Sequence, residues 1–151
     1  MTQASQEVIP VEAALTLGQN RRMIGQVRDH TVVLDVSEIR GGDNAGPTPP
    51  EFLLLSLGGC VINMVRLMAM SQGLATDGLE VLVSGDLDPS KAFGLSSENR
   101  AGFLGINVTI QSPQIWSDKT RDMLLEQLRL RCPLCDTIQN PSDLTIRFDS
   151  A

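Results

Sequence analysis

Three side chains in this 151-residue chain carry an oxidisable thiol: Cys60, Cys132 and Cys135. A thiol becomes a strong nucleophile only on ionising, so its surroundings decide whether it does chemistry. Pro133 is well suited to the first position of a helical turn, which puts Cys132 at an N-cap, where free amides and the helix dipole favour thiolate over thiol. Arg129 and Arg131 stand beside it in sequence and could add positive potential. Cys60 lies in a strongly apolar stretch next to Gly58 and Gly59, which leave room for a reactant to approach the sulfur. An ordinary small core hydrophobe would sit there equally well.

Cys132-Pro133-Leu134-Cys135 is formally a Cys-x-x-Cys. A thioredoxin-like reading wants βαβ context, which the flanking sequence lacks. A zinc site wants two more ligands, and apart from carboxylates only Cys60 and His30, the one histidine, remain. An odd number of cysteines without an export signal argues against a secreted disulfide scaffold and for reactive, metal-binding or buried thiols.

The elements that must position these residues can be read from pattern. Thr48-Pro49-Pro50-Glu51 has the spacing of a capping box, with Thr48 at N-cap and Glu51 reaching back to its amide. A helix is predicted from there to about Gln72, stopped by Gly73. It is apolar nearly all round, which predicts burial. The thin polar stripe Ser56, Gly59, Asn63 and Arg66 runs along one face, bordered by Cys60. Some 24 residues at 1.5 Å each would span about 36 Å, more than a small domain covers alone, so a homodimer burying part of the helix is expected.

Before this helix, Ala13–Leu17, Met23–Val27 and Thr31–Val36 read as a strand meander, broken at Gly18-Gln19-Asn20 and at Arg28-Asp29-His30. The glycine-rich loop Arg40–Pro47 follows. Beyond the helix, Leu79–Leu87 and Gly105–Gln111 read as strands joined by a long polar loop. A second helix capped by Ser117 or Asp118 turns Met123, Leu124, Leu125 and Leu128 inward and is interrupted at Cys132-Pro133. A short helical piece to Gln139 and a last strand, Leu144–Phe148, close the chain. The order predicts an α+β fold, antiparallel sheets packed around a long buried central helix. A single domain over 1–151 is expected, with residues 1–10 as a flexible start. A net charge of −6 and no basic cluster larger than Arg21-Arg22 give no footprint for nucleic acid. The absence of a basic-then-apolar leader and of a long uninterrupted apolar run points to no membrane partner and to the cytoplasm.

Gly42-Asp43-Asn44-Ala45-Gly46-Pro47-Thr48-Pro49-Pro50-Glu51 through Gly58-Gly59-Cys60, with Arg131-Cys132-Pro133-Leu134 about seventy residues on, resembles the two signature blocks of the OsmC/Ohr family. Asn99 to Val108 is similar to its middle strand. The resemblance implies an intertwined homodimer with active sites at the subunit interface. It also implies that Cys60 attacks the peroxide O–O bond and becomes a sulfenic acid, which Cys132 resolves as a disulfide. A dithiol, a lipoylated protein or a small thiol would restore the pair, with no metal or organic cofactor. Arg40, twenty residues before Cys60, matches the active-site arginine of OsmC-type members, although a solvated loop arginine would look the same. Peroxidases of the family place a glutamate ten residues before the reactive cysteine, where this chain has Pro50. Glu51, one residue later, matches other branches, and its capping role accounts for it without catalysis.

The function expected is thus a thiol-dependent reductase of organic hydroperoxides, an antioxidant stress-response enzyme with catalytic residues Cys60, Cys132, Arg40 and Glu51. The rival from another class is a non-catalytic OsmC-like redox sensor or small-ligand binder, and a zinc-stabilised dimer is third.

Overall fold

The structure, a computed structural model, describes residues 8–140 and 142–149. It has two compact units, divided between Phe52 and Leu53. Residues 1–7 of the expected flexible start lie outside the described residues.

In the first unit, β1 (Ala14–Leu17), β2 (Met23–Val27) and β3 (His30–Leu34) form an antiparallel meander in chain order. Val27 pairs directly with His30, so Arg28-Asp29 is a two-residue hairpin turn, with Arg28 at φ 56°. His30 therefore opens a strand instead of lying in the turn, because the tightest turns are the ones whose twist suits a hairpin. The strand ends at Leu34, two residues early, and Asp35 takes up a different task. Its carboxylate is wholly buried and accepts hydrogen bonds from the amides of Val36 at 2.8 Å and of Asp43 and Ala45 at 3.0 Å. The Ala45 amide is the largest influence on this carboxyl; burial opposes it, yet the amides together hold Asp35 below its ordinary value. The glycine-rich loop is thus wound around one anion. A Cβ on Gly46 would come within 2.2 Å of the Val33 carbonyl oxygen, and one on Gly42 within 2.2 Å of that of Val36. Only glycine allows these backbones to touch.

The long helix α1 (Pro49–Met70) starts where expected. The Thr48 amide and hydroxyl both donate to Glu51 Oε2, at 2.7 and 2.8 Å. It ends in a Schellman arrangement: Gly73, at φ 69°, donates to Met70 O, and Leu74 donates to Ala69 O.

In the second unit, β4 (Glu80–Asp86) pairs antiparallel with β5 (Gly105–Gln111), and α2 (Asp118–Arg131) is capped by Ser117, whose side chain accepts from the Thr120 amide. The core joins Leu57, Val61, Val65 and Met68 of α1 to Leu124 and Leu128 of α2, with Val81, Val83, Ile106 and Ile110 packed from the strands. Each such side chain contributes roughly 1.5–3 kcal/mol when fully buried. The excursion between β4 and β5 is gathered around Asp88, which accepts from the Ser90 amide, the Ser97 hydroxyl and the Asn99 side-chain amide.

Three expectations need correction. Leu125 is largely exposed, because α2 turns only Leu124 and Leu128 fully inward. Residues 144–148 form no strand. Leu144, Ile146 and Phe148 alternate as a strand would, yet no described backbone edge pairs with them and their side chains are exposed. Nor is α1 apolar and buried all round: Leu53, Leu55, Leu67 and Met70 are exposed. Among the described residues α1 is the one helix long and apolar enough to cross a membrane on length and composition. Its packed stripe, Leu57, Val61, Val65 and Met68, makes it the core helix of this unit.

Candidate active site

The core ends at a cluster of sulfur. Cys60 comes from the middle of α1, and Cys132 both closes α2 and opens α3 (Pro133–Gln139). Seventy-two residues apart in sequence, their sulfurs lie 3.2 Å apart. Proline supplies the break that makes this possible: it cannot continue a helix from α2 but is at home in the first turn of α3. Cys132 is 1% exposed, while Cys60 and Cys135 are half-buried. The setting beside Cys60 differs from the expected gap on both sides. A Cβ on Gly58 would meet Val83 at 3.2 Å, so that space belongs to β4, whereas Gly59 faces open space.

The three thiols are unequal. Burial pushes Cys60 up; the Leu134 amide opposes it, and the Cys132 sulfur adds to the rise. Burial also acts on Cys132, but the amides of Cys135 and Leu134 and the neighbouring thiols outweigh it and bring Cys132 below its ordinary value. Cys135 is pushed up to about 12, first by burial and then by Cys132. The first negative charge in the cluster therefore rests on Cys132, at the start of α3, as an N-cap position favours.

Arg40 and Glu51 belong to the first unit. Arg40 ends a single 3-10 turn (Glu38–Arg40), exposed, and its carbonyl accepts from Arg21 at 2.8 Å. Glu51 is held below its ordinary value by the Thr48 amide, then by the Thr48 hydroxyl, with Arg40 a lesser contribution. Arg22 pairs with Asp43 at 2.9 Å. Asp35 and this ion pair organise the loop before α1, and no sequence motif marks the part Asp35 plays there. The only hint was an aspartate closing a β-branched run just ahead of a glycine-rich loop.

Two cavities open in the second unit. One of about 730 Å³ is lined by Trp116, Val65, Ile110, Leu124 and Arg121 and carries no cysteine. The other, about 450 Å³, lies among Leu57, Arg100, Phe103, Ile138 and Cys135. Among the described residues no group of three or more His, Cys, Asp and Glu is arranged to hold a metal ion.

Residues 41–147 match the family described as OsmC-like protein, and the chain belongs to that family. Its fold is similar to that of an OsmC-like protein from Mycoplasma pneumoniae, at TM-score 0.71 and 20% identity, covering 88% of this chain and 89% of that one. An organic hydroperoxide resistance protein OsmC from Legionella pneumophila superposes at TM-score 0.64 and 15% identity, over 89% and 93% of the two chains. The organic hydroperoxide resistance protein OhrB of Bacillus subtilis does so at 0.58 and 13%, over 88% and 93%. No curated protein sequence matches. At these identities the likeness is one of fold.

Proposed function

We propose that the chain is a thiol-dependent peroxidase that reduces organic hydroperoxides through Cys60 and Cys132. The observation that carries this reading is the 3.2 Å separation of the two sulfurs, which a small contraction turns into a bond of about 2.05 Å. Access and acidity divide the roles. Cys60 is the less buried of the two sulfurs, so it meets the peroxide. Cys132 ionises first and, at hydrogen-bonding distance, takes the Cys60 proton as attack begins. The Cys60 sulfur bonds the distal peroxide oxygen, the O–O bond breaks, and the leaving alkoxide takes a proton from solvent to depart as the alcohol. The Cys60 sulfenic acid then condenses with the Cys132 thiol, releasing water and forming the disulfide.

On the family resemblance Arg40 is assigned the cation that steadies the thiolate and the leaving oxygen, while Glu51, engaged by Thr48, is assigned to holding the start of α1. The substrate and a dithiol, such as a lipoylated protein, are the partners. The protein acts as a homodimer, a reading supported by the apolar exposed residues of α1 and by the unpaired alternation Leu144, Ile146, Phe148. The test is consumption of cumene hydroperoxide by the reduced protein with dithiothreitol. Turnover is expected from the wild type and is lost in Cys60→Ser; equal turnover in that variant would overturn the mechanism.

A further inference from the structure

Cys135 is the thiol this chemistry leaves unused. It occupies the third position of α3, with Cys132 at the N-cap, the relation in which the two ends of a helical first turn face one another. Its amide and its thiol both interact with the Cys132 sulfur. Cys135 lines the cavity of about 450 Å³ bounded by Leu57, Arg100, Phe103 and Ile138, and neither Cys60 nor Cys132 does. Cys132, at 1% exposure, is out of reach of any external reductant.

We infer that the three cysteines form a relay, in which Cys135 exchanges into the Cys60–Cys132 disulfide and presents a Cys132–Cys135 disulfide to a dithiol entering this cavity. The inference rests on the proposed peroxidase reading for the origin of the first disulfide. Cys135 gives up its proton and its sulfur attacks that of Cys132. The Cys60–Cys132 bond breaks, and Cys60 leaves as the thiolate and takes up the proton. One disulfide replaces another and no electrons are gained or lost. The external dithiol then attacks Cys135, Cys132 departs, and two electrons and two protons return both residues to thiols while the dithiol becomes a disulfide.

The environment eases the attack by Cys135 and favours the last step. Part of what raises Cys135 in the reduced protein comes from the Cys132 sulfur, and that part falls away once Cys132 is bonded to Cys60 and uncharged. In the last step the departing sulfur is Cys132, the one that the α3 amides stabilise as an anion, and a more acidic thiol leaves faster. Cys60 is thereby returned to the peroxide-facing side before any reductant has docked.

A time course reads the relay directly. The fully reduced chain receives one equivalent of cumene hydroperoxide, is quenched in acid, has its free thiols alkylated and is digested with trypsin. Cleavage after Arg40, Arg66, Arg131 and Arg147 places Cys60 in one peptide and Cys132 with Cys135 in another. The expected sequence is a cross-link between the two peptides, followed by its loss, with Cys60 now alkylated and both other cysteines protected. In Cys135→Ser the cross-link persists and steady turnover with dihydrolipoamide falls roughly tenfold. A wild-type cross-link that persists, with Cys135→Ser turning over like wild type, overturns the relay alone. A chain that never links Cys60 overturns the proposed function and the relay with it.

Discussion

At the scale of single residues, the pair Cys60 and Cys132 divides two properties that a lone reactive cysteine would have to combine. Cys132 is acidic but sealed, and Cys60 is accessible but held up by burial. A prediction follows for pH. Single-turnover oxidation of the wild type by cumene hydroperoxide should rise with pH through an apparent value below 9.0, because the first proton leaves from Cys132, which is lowered from that value. In Cys132→Ser the rise should move upward, since burial, the largest influence on Cys60, remains. At pH 7 the rate should fall by at least about tenfold, one unit of pKa. An unchanged midpoint would show that Cys132 is not the base. Much of this was legible in the sequence: proline after Cys132 marks an N-cap by itself. The division of labour was not legible, because it depends on which sulfur the core covers.

At the scale of elements, what can be read from sequence depends on how local the cause is. The capping contact at Thr48 and Glu51 and the stop at Gly73 lie within one turn, and both stand where their residue types put them. The role of Asp35 depends on a loop folding back eight and ten residues later, and no spacing rule signals it. The strand expected at 144–148 failed for a related reason: alternation supplies a face but not a pairing edge, and that edge is not among the described residues. The glycines of the loop make a direct test. Gly46→Ala should destabilise the protein by about 1–3 kcal/mol, because its Cβ would meet backbone rather than a movable side chain. A urea melt measures it, and a midpoint equal to wild type would mean the loop yields freely. Gly59→Ala, in open space on a helix, should be neutral or slightly stabilising in the same melt.

At the scale of the whole molecule, the proposed homodimer would cover apolar side chains that this chain leaves exposed. Replacing Leu144 and Ile146 by lysine should shift sedimentation from dimer toward monomer, whereas a wild type that is already monomeric at micromolar concentration would remove the homodimer from the reading. The contact between Cys60 and Cys132 has a further consequence, for heat. Bonding two residues 72 positions apart closes a long loop of chain, which restricts the unfolded ensemble by about 4 kcal/mol. For a chain of this length that amounts to a rise of roughly 10 °C in Tm. A Cys132–Cys135 bond closes almost nothing and should return most of that rise. A melting curve followed through one catalytic cycle would then act as a clock, in which the protein is most heat-resistant just after meeting peroxide and relaxes as the oxidation moves along the chain.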